Sequence, residues 1–187
     1  MKKGTISTVR DYYLGRDGED IFLDALRKFY DRSDLDKGGQ LKTTPQEECL
    51  FTEWIFFDYK LKNGKTMLED FYDTNPFKLP VKELSIYKDL QENIYGLYEI
   101  KNIETCKGMT LKNIYTNKTY YVQEFSGTFN VDKGDILTGR VGKIIDHYEL
   151  VGSDPLILPL KFGKGFLKFF RQTKDHLTPK AIRTLLQ

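Results

Sequence analysis

Leu97 to Thr105 reads LYEIKNIET, Met109 to Thr116 reads MTLKNIYT, and Thr119 to Phe129 reads TYYVQEFSGTF. Each stretch alternates apolar with polar residues. That is the period of two expected of a half-buried strand, whose successive side chains leave opposite faces of the backbone. Thr116-Asn117-Lys118 supplies a tight turn between the second and third stretches. Further strands are expected at Asp135 to Arg140 (DILTGR) and Lys143 to Val151 (KIIDHYELV), with a short edge strand over Pro155 to Leu160. Five or six short strands in succession predict a small antiparallel barrel or a strongly bent sheet, because an open sheet of that size exposes its edges. Gly127, Gly134, Gly139 and Gly142 are the expected turn or bulge positions.

Upstream of this unit the apolar period is helical. Residues 19–31 (EDIFLDALRKFYD) place Ile21, Phe22, Ala25, Leu26 and Phe29 on one face, with acidic residues leading and Arg27 and Lys28 near the end. A polar connection over residues 33–43 contains Gly38-Gly39. Thr44 caps a second expected helix with Pro45 in its first turn, and Trp54 on that helix reads as core. Lys62-Asn63-Gly64-Lys65 stops it. Thr66 and Glu69 have capping-box spacing for a short third helix, which Asn75-Pro76 ends. A fourth helix opens at Leu79-Pro80-Val81 and is predicted to reach Tyr95-Gly96, with Leu84, Ile86, Tyr87, Leu90 and Ile94 on its apolar face. At the C-terminal end, helices are expected near 165–174 and after Leu177-Thr178-Pro179. The expected fold class is α+β: a helical region over 1–94, a small antiparallel β unit over 95–160, and a basic helical tail over 161–187.

The 187 residues are 14% aromatic, enough for one sizeable core or two small lobes, and the 29 basic and 27 acidic residues nearly balance. The whole chain therefore has no electrostatic reason to seek nucleic acid or an anionic membrane, and any such preference is local. Cys49 and Cys106 lie in no zinc-ligand spacing and read as free thiols. The basic N-terminus is followed by Val9, Arg10 and Asp11 rather than an apolar run, so no signal peptide is expected. No stretch approaches the roughly 20 apolar residues of a membrane helix. The expectation is a cytoplasmic protein with no metal, no cofactor and no membrane partner. Lys161-Phe162-Gly163-Lys164-Gly165-Phe166 lacks both the glycine spacing and the Lys-Ser/Thr ending of a phosphate loop, and no dinucleotide fingerprint is present.

Residues 53–72 (EWIFFDYKLKNGKTMLEDFY), 95–100 (YGLYEI) and 134–144 (GDILTGRVGKI) resemble a group of uncharacterised bacterial cytosolic proteins. That group shares an aromatic W-hydrophobic-F-D-Y helix, a Gly-Lys/Arg-Thr turn and GLYEV-like and GD-hydrophobic-L strands. The similarity spans roughly residues 45–160. Some relatives carry a C-terminal SEC-C-type zinc tail, whose cysteines this chain does not have. The resemblance implies a bacterial, cytosolic setting and carries over no catalytic residue.

Three sets of residues compete as a functional site. In the tail, Lys161, Lys164, Lys168 and Arg171 interleave with Phe162, Phe166, Phe169 and Phe170. Cations beside stackable rings suit single-stranded nucleic acid, yet the same spacing describes a helix docked by its apolar face with solvated lysines outside. The partner-binding candidates are therefore Lys161, Lys164, Phe166, Lys168, Phe169 and Arg171. Asp58, inside the aromatic run, reads as accepting hydrogen bonds from the turn after it, and with Asp135, Tyr98 and Arg140 it makes up an alternative enzymatic site between the two halves. His147 and His176 have no partner at helical or hairpin spacing. The leading expectation is a non-enzymatic binding or adaptor module in a bacterial assembly. A protein partner is slightly favoured over RNA or DNA, and an enzyme is the remaining alternative.

Overall fold

Thr44 and Thr66 each stand three residues before a glutamate, and both start helices by the same exchange of hydrogen bonds. Thr44 Oγ1 accepts from the Glu47 amide at 3.2 Å while Glu47 Oε2 accepts from the Thr44 amide at 3.0 Å. Thr66 and Glu69 repeat the exchange at 3.1 and 2.6 Å. Each box satisfies two amides that a helix start otherwise leaves unbonded. In the computed structural model, which describes residues 5–32, 41–152, 156–159 and 177–186, these boxes open α2 (Pro45–Phe57) and α3 (Met67–Thr74). Asn75 ends α3 in the left-handed region (φ 40°), and its side chain both accepts from the Leu79 amide and donates to the Leu79 carbonyl. α4 (Val81–Asp89) follows.

The periodicity predicts a first helix from residue 19, but α1 runs Thr5–Tyr30, through Gly15 and Gly18. Each helical glycine costs about 0.5–1 kcal/mol relative to alanine. Packing offsets that cost: Val9 and Tyr13 are buried, the Tyr13 hydroxyl donates to Asp70, and the Tyr12 ring meets Phe71 and Phe77 at 5.8 and 5.6 Å. Trp54 is half-buried rather than sealed in the core, with its ring 5.4 Å from Phe29 and 5.6 Å from Tyr59.

The chain forms two compact units, Met1–Gln91 with Pro179–Gln187, and Glu92–Thr178. The C-terminal helix α5 (Pro179–Leu186), counted with the basic tail in the sequence, thus packs in the helical unit. Its Arg183 Nε lies 3.3 Å from Glu47 Oε1 with the guanidinium 4.5 Å from the Tyr30 ring centroid, and Lys180 Nζ is 2.7 Å from Asp31 Oδ1. Burial pushes the Tyr30 phenol up to about 12.

The second unit consists of β1 (Asn93–Glu104), β2 (Gly108–Asn113), β3 (Thr119–Gln123), β4 (Ile136–Ile144), β5 (His147–Leu150) and β6 (Leu156–Leu158). The order is β1-β2-β3-β5-β4-β6, and β1 also pairs with β4, so β1 to β5 close into a ring with β6 attached to β4. The sequence leads one to expect antiparallel pairing throughout; β3 and β5 instead run parallel, at Val122↔Tyr148 and Gln123↔Glu149. Five is an odd number, so a closed ring cannot alternate direction all the way round, and one seam must be parallel. β1 is long enough to serve two neighbours. Its first half pairs with β4 and its second half with β2, with a register shift between Ile100 and Asn102 that bends it. Tyr98, Ile100, Met109, Leu111, Tyr120, Val122, Leu137 and Val141 fill the interior.

Three local expectations change. The fourth helix stops at Asp89 rather than Gly96, because residues 93–99 are taken into register with β4. The strand expected to reach Phe129 ends at Gln123 and gives way to a 3₁₀ turn at Ser126–Phe129, where Glu124 Oε1 accepts from the Gly127 amide at 2.9 Å. The strands predicted at 135–140 and 143–151 are both present but divided elsewhere: β4 runs on through Gly142 to Ile144, and β5 starts at His147 after a turn at Ile145-Asp146. Gly142 marks a close approach: a Cβ there would stand 2.7 Å from Val151 Cγ2.

Candidate functional site

Lys161, Lys164, Phe166, Lys168, Phe169 and Arg171 lie outside the described residues, as do His176 and the helix expected near 165–174. Asp58 is the C-terminal cap of α2, its amide donating to Trp54 O; the turn after it is held by Asn63, which accepts from the Lys65 amide and donates to Asp70. In the barrel unit, Asp135 Oδ2 accepts from the Asp132 amide at 2.9 Å in the turn before β4. Tyr98 points into the core, where its hydroxyl donates to Ile94 O at 2.7 Å and burial holds its pKa high. Arg140 donates to Asn93 Oδ1 and lies over the Tyr95 ring at 5.3 Å. Tyr98 is paired with Leu137, three residues from Arg140, so strand alternation places Tyr98 and Arg140 on opposite faces of the sheet.

His147, without a partner on sequence spacing, has one on each ring nitrogen: Asp146 Oδ1 at 3.0 Å from Nδ1 and Glu149 Oε1 at 2.8 Å from Nε2. The bond to Asp146, and then those to Glu149, raise its pKa above the ordinary 6.5 against the opposing effect of burial. A raised folded-state value stabilises the protein below about pH 6.5, and that contribution disappears as pH rises through the folded value. NMR titration of the His147 ring is expected to give a midpoint above 6.5 that falls toward it in Asp146→Asn. A midpoint at or below the ordinary value in the parent protein would contradict the pairing.

The outer face of β1, β2 and β3 carries the rows Glu99–Lys112–Thr119 and Asn102–Thr110–Tyr121. Tyr121 is 42% exposed, and its ring lies against Gly108, where a Cβ would stand 3.0 Å from its Cζ and Oη. That Cβ would also meet Val122 O at 2.3 Å, so glycine is needed for the β2–β3 approach as well. Beyond β3, Phe125 and Phe129 are exposed with ring centroids 6.0 Å apart. The β1–β2 turn is tied to them: Thr128 Oγ1 accepts from the Cys106 amide at 3.1 Å, and Lys107 O accepts from the Glu124 amide at 3.3 Å. The outward alternation of TYYVQ is the signal that exposes Tyr121. No period marks Phe125 and Phe129, because they begin and end a turn rather than occupy a strand.

At one end of the barrel, Glu92, Asn93, Ile94, Lys118, Thr119, Tyr120, Val141 and Tyr148 surround a cavity of about 470 Å³. The residues come from the start of β1, the β2–β3 turn and the β4–β5 hairpin, which sequence spacing does not bring together. Among the described residues no cluster of three or more His, Cys, Asp or Glu side chains is placed to hold a metal ion, and no helix is long and apolar enough to cross a membrane. Cys49 and Cys106 are free and exposed. No family model, curated protein or solved structure matches the chain.

Proposed function

We propose that this chain is a non-enzymatic binding module whose barrel takes single-stranded nucleic acid along the outer face of β2 and β3. The observation that carries the proposal is the ring order β1-β2-β3-β5-β4 with its one parallel seam. Five-stranded Greek-key barrels of this kind present their second and third strands to oligonucleotides and oligosaccharides. That likeness is one of fold alone, so the chemistry has to come from side chains on the face itself. Tyr121 offers an exposed ring for base stacking, and Lys112 in the neighbouring row offers a cation for phosphate. A bacterial, cytoplasmic setting belongs to the same proposal and rests on the resemblance of residues 45–160.

The decisive measurement is fluorescence anisotropy of a labelled single-stranded oligothymidine over a salt series. Tyr121→Ala should weaken binding by about 1–3 kcal/mol, the worth of one base stacked on an aromatic ring. Lys112→Gln should make the slope of log affinity against log salt shallower by about 0.7. The reading fails if the parent protein binds no oligothymidine at low salt, or binds it equally well after Tyr121→Ala. A protein partner is then the second reading, favoured by the exposed Phe125–Phe129 pair.

A further inference from the structure

The cavity at the barrel end joins an aromatic floor to a donor-rich rim. Tyr120 and Tyr148 meet edge to face at 5.2 Å, and the Tyr98 ring stands 6.2 Å from Tyr120 deeper in the core. Among the described residues neither the Tyr120 nor the Tyr148 hydroxyl has a hydrogen-bond partner. Lys118 has no carboxylate partner there either, although its backbone is firmly held. Asn113 accepts from the Tyr115 and Thr116 amides at 3.0 and 2.9 Å, and the Asn113 amide donates to Lys118 O at 2.8 Å. The β2–β3 turn thus contributes Lys118 and Thr119 to a lining that also holds Tyr120 and Tyr148. Among the described residues Glu92 is the one acidic side chain lining the cavity; its carboxylate is 74% exposed and loosely faced by Lys143 Nζ at 3.9 Å, which offsets its repulsion of an anion.

A cavity of about 470 Å³ is within the range that holds a small molecule. Its polar rim is dominated by donors and carries the Lys118 ammonium, which calls for an anionic group with several acceptor oxygens; its ringed floor calls for a flat or ring-shaped body. We propose that the barrel mouth binds a nucleotide bearing a terminal phosphate, with the phosphate at Lys118 and Thr119 and the ring of the nucleotide against Tyr120 and Tyr148. The chemistry is shared by a free nucleoside monophosphate and by the 5′-phosphorylated end of a strand. This site is independent of strand binding on the β2–β3 face, because Tyr121 and Lys112 do not line the cavity.

The test titrates the full chain with a nucleoside 5′-monophosphate, with the same nucleoside lacking phosphate, and with oligothymidine carrying or lacking a 5′-phosphate. In the parent protein the monophosphate should bind at least about tenfold more tightly than the nucleoside, as loss of a charge-assisted bond implies. Lys118→Gln should remove most of that difference while unphosphorylated oligothymidine binds as before. Tyr148→Phe, which deletes only a hydroxyl, should weaken the monophosphate about threefold to tenfold. Preference for 5′-phosphorylated oligothymidine without binding of the free monophosphate would assign the site to strand ends, and the reverse would assign it to the free nucleotide. No phosphate preference in either probe, or a preference that survives Lys118→Gln, would overturn the proposal. Failure of unphosphorylated oligothymidine to bind would sink only the strand-binding reading.

Discussion

Tyr98→Ala is expected to lower the stability of the barrel unit by about 3–5 kcal/mol, the cost of removing a large ring from a packed interior. Tyr98 has no exposed surface and stands among Ile100, Met109, Leu111, Tyr120, Leu137 and Val141, so its loss leaves a cavity that several strands cannot close together. The hydroxyl is separable from the ring. Tyr98→Phe keeps the packing and removes only the hydroxyl's bond to Ile94 O, for an expected cost of about 0.5–1.5 kcal/mol. Hydrogen exchange at the amides of β1 and β4, whose paired halves meet at Tyr98↔Leu137, reads both variants directly. A loss below about 1 kcal/mol for the alanine variant would show that Tyr98 does not organise the ring.

Phe71→Ala should cost the helical unit a similar amount, about 3–5 kcal/mol. Phe71 is fully buried on α3, and its ring meets Tyr12 of α1 at 5.8 Å, Phe77 of the following loop at 5.8 Å and Tyr87 of α4 at 4.9 Å. α3 has only eight residues and gains little from helix propensity alone, so its capping box and Phe71 together hold it in place. Amide exchange in α1, α3 and α4 should accelerate together. Acceleration confined to α3 would mean that the ring anchors its own helix and not its neighbours.

Local chemistry is legible in the sequence wherever an interaction is closed by residues a few positions apart. Thr44 with Glu47 and Thr66 with Glu69 lie within one helical turn, so their boxes follow from spacing alone. The alternation of LYEIKN, MTLKN and TYYVQ likewise separates inward Tyr98, Leu111 and Tyr120 from outward Glu99, Lys112 and Tyr121. Spacing is ambiguous where helix and strand periods overlap. Leu84, Ile86, Tyr87, Leu90 and Ile94 fit a helical face, yet Ile94 belongs to β1, because pairing of residues 93–99 with β4 outweighs the local pattern. Gly15 and Gly18 argue against a helix locally, and burial of Val9 and Tyr13 carries α1 through them.

The candidate site is less visible still. Lys118, Tyr120 and Tyr148 become neighbours only when β3 and β5 pair in parallel, a contact between segments with two other strand partners and no local signature. The α+β class, the helix starts and the in-out alternation of the strands are therefore properties of the chain itself, because each rests on residues within a turn or two of one another. Ring closure, the extension of α1, the placing of α5 in the helical unit and the cavity at the barrel mouth belong to the tertiary structure, because each depends on burial shared between residues distant in sequence, where local periodicity carries no information.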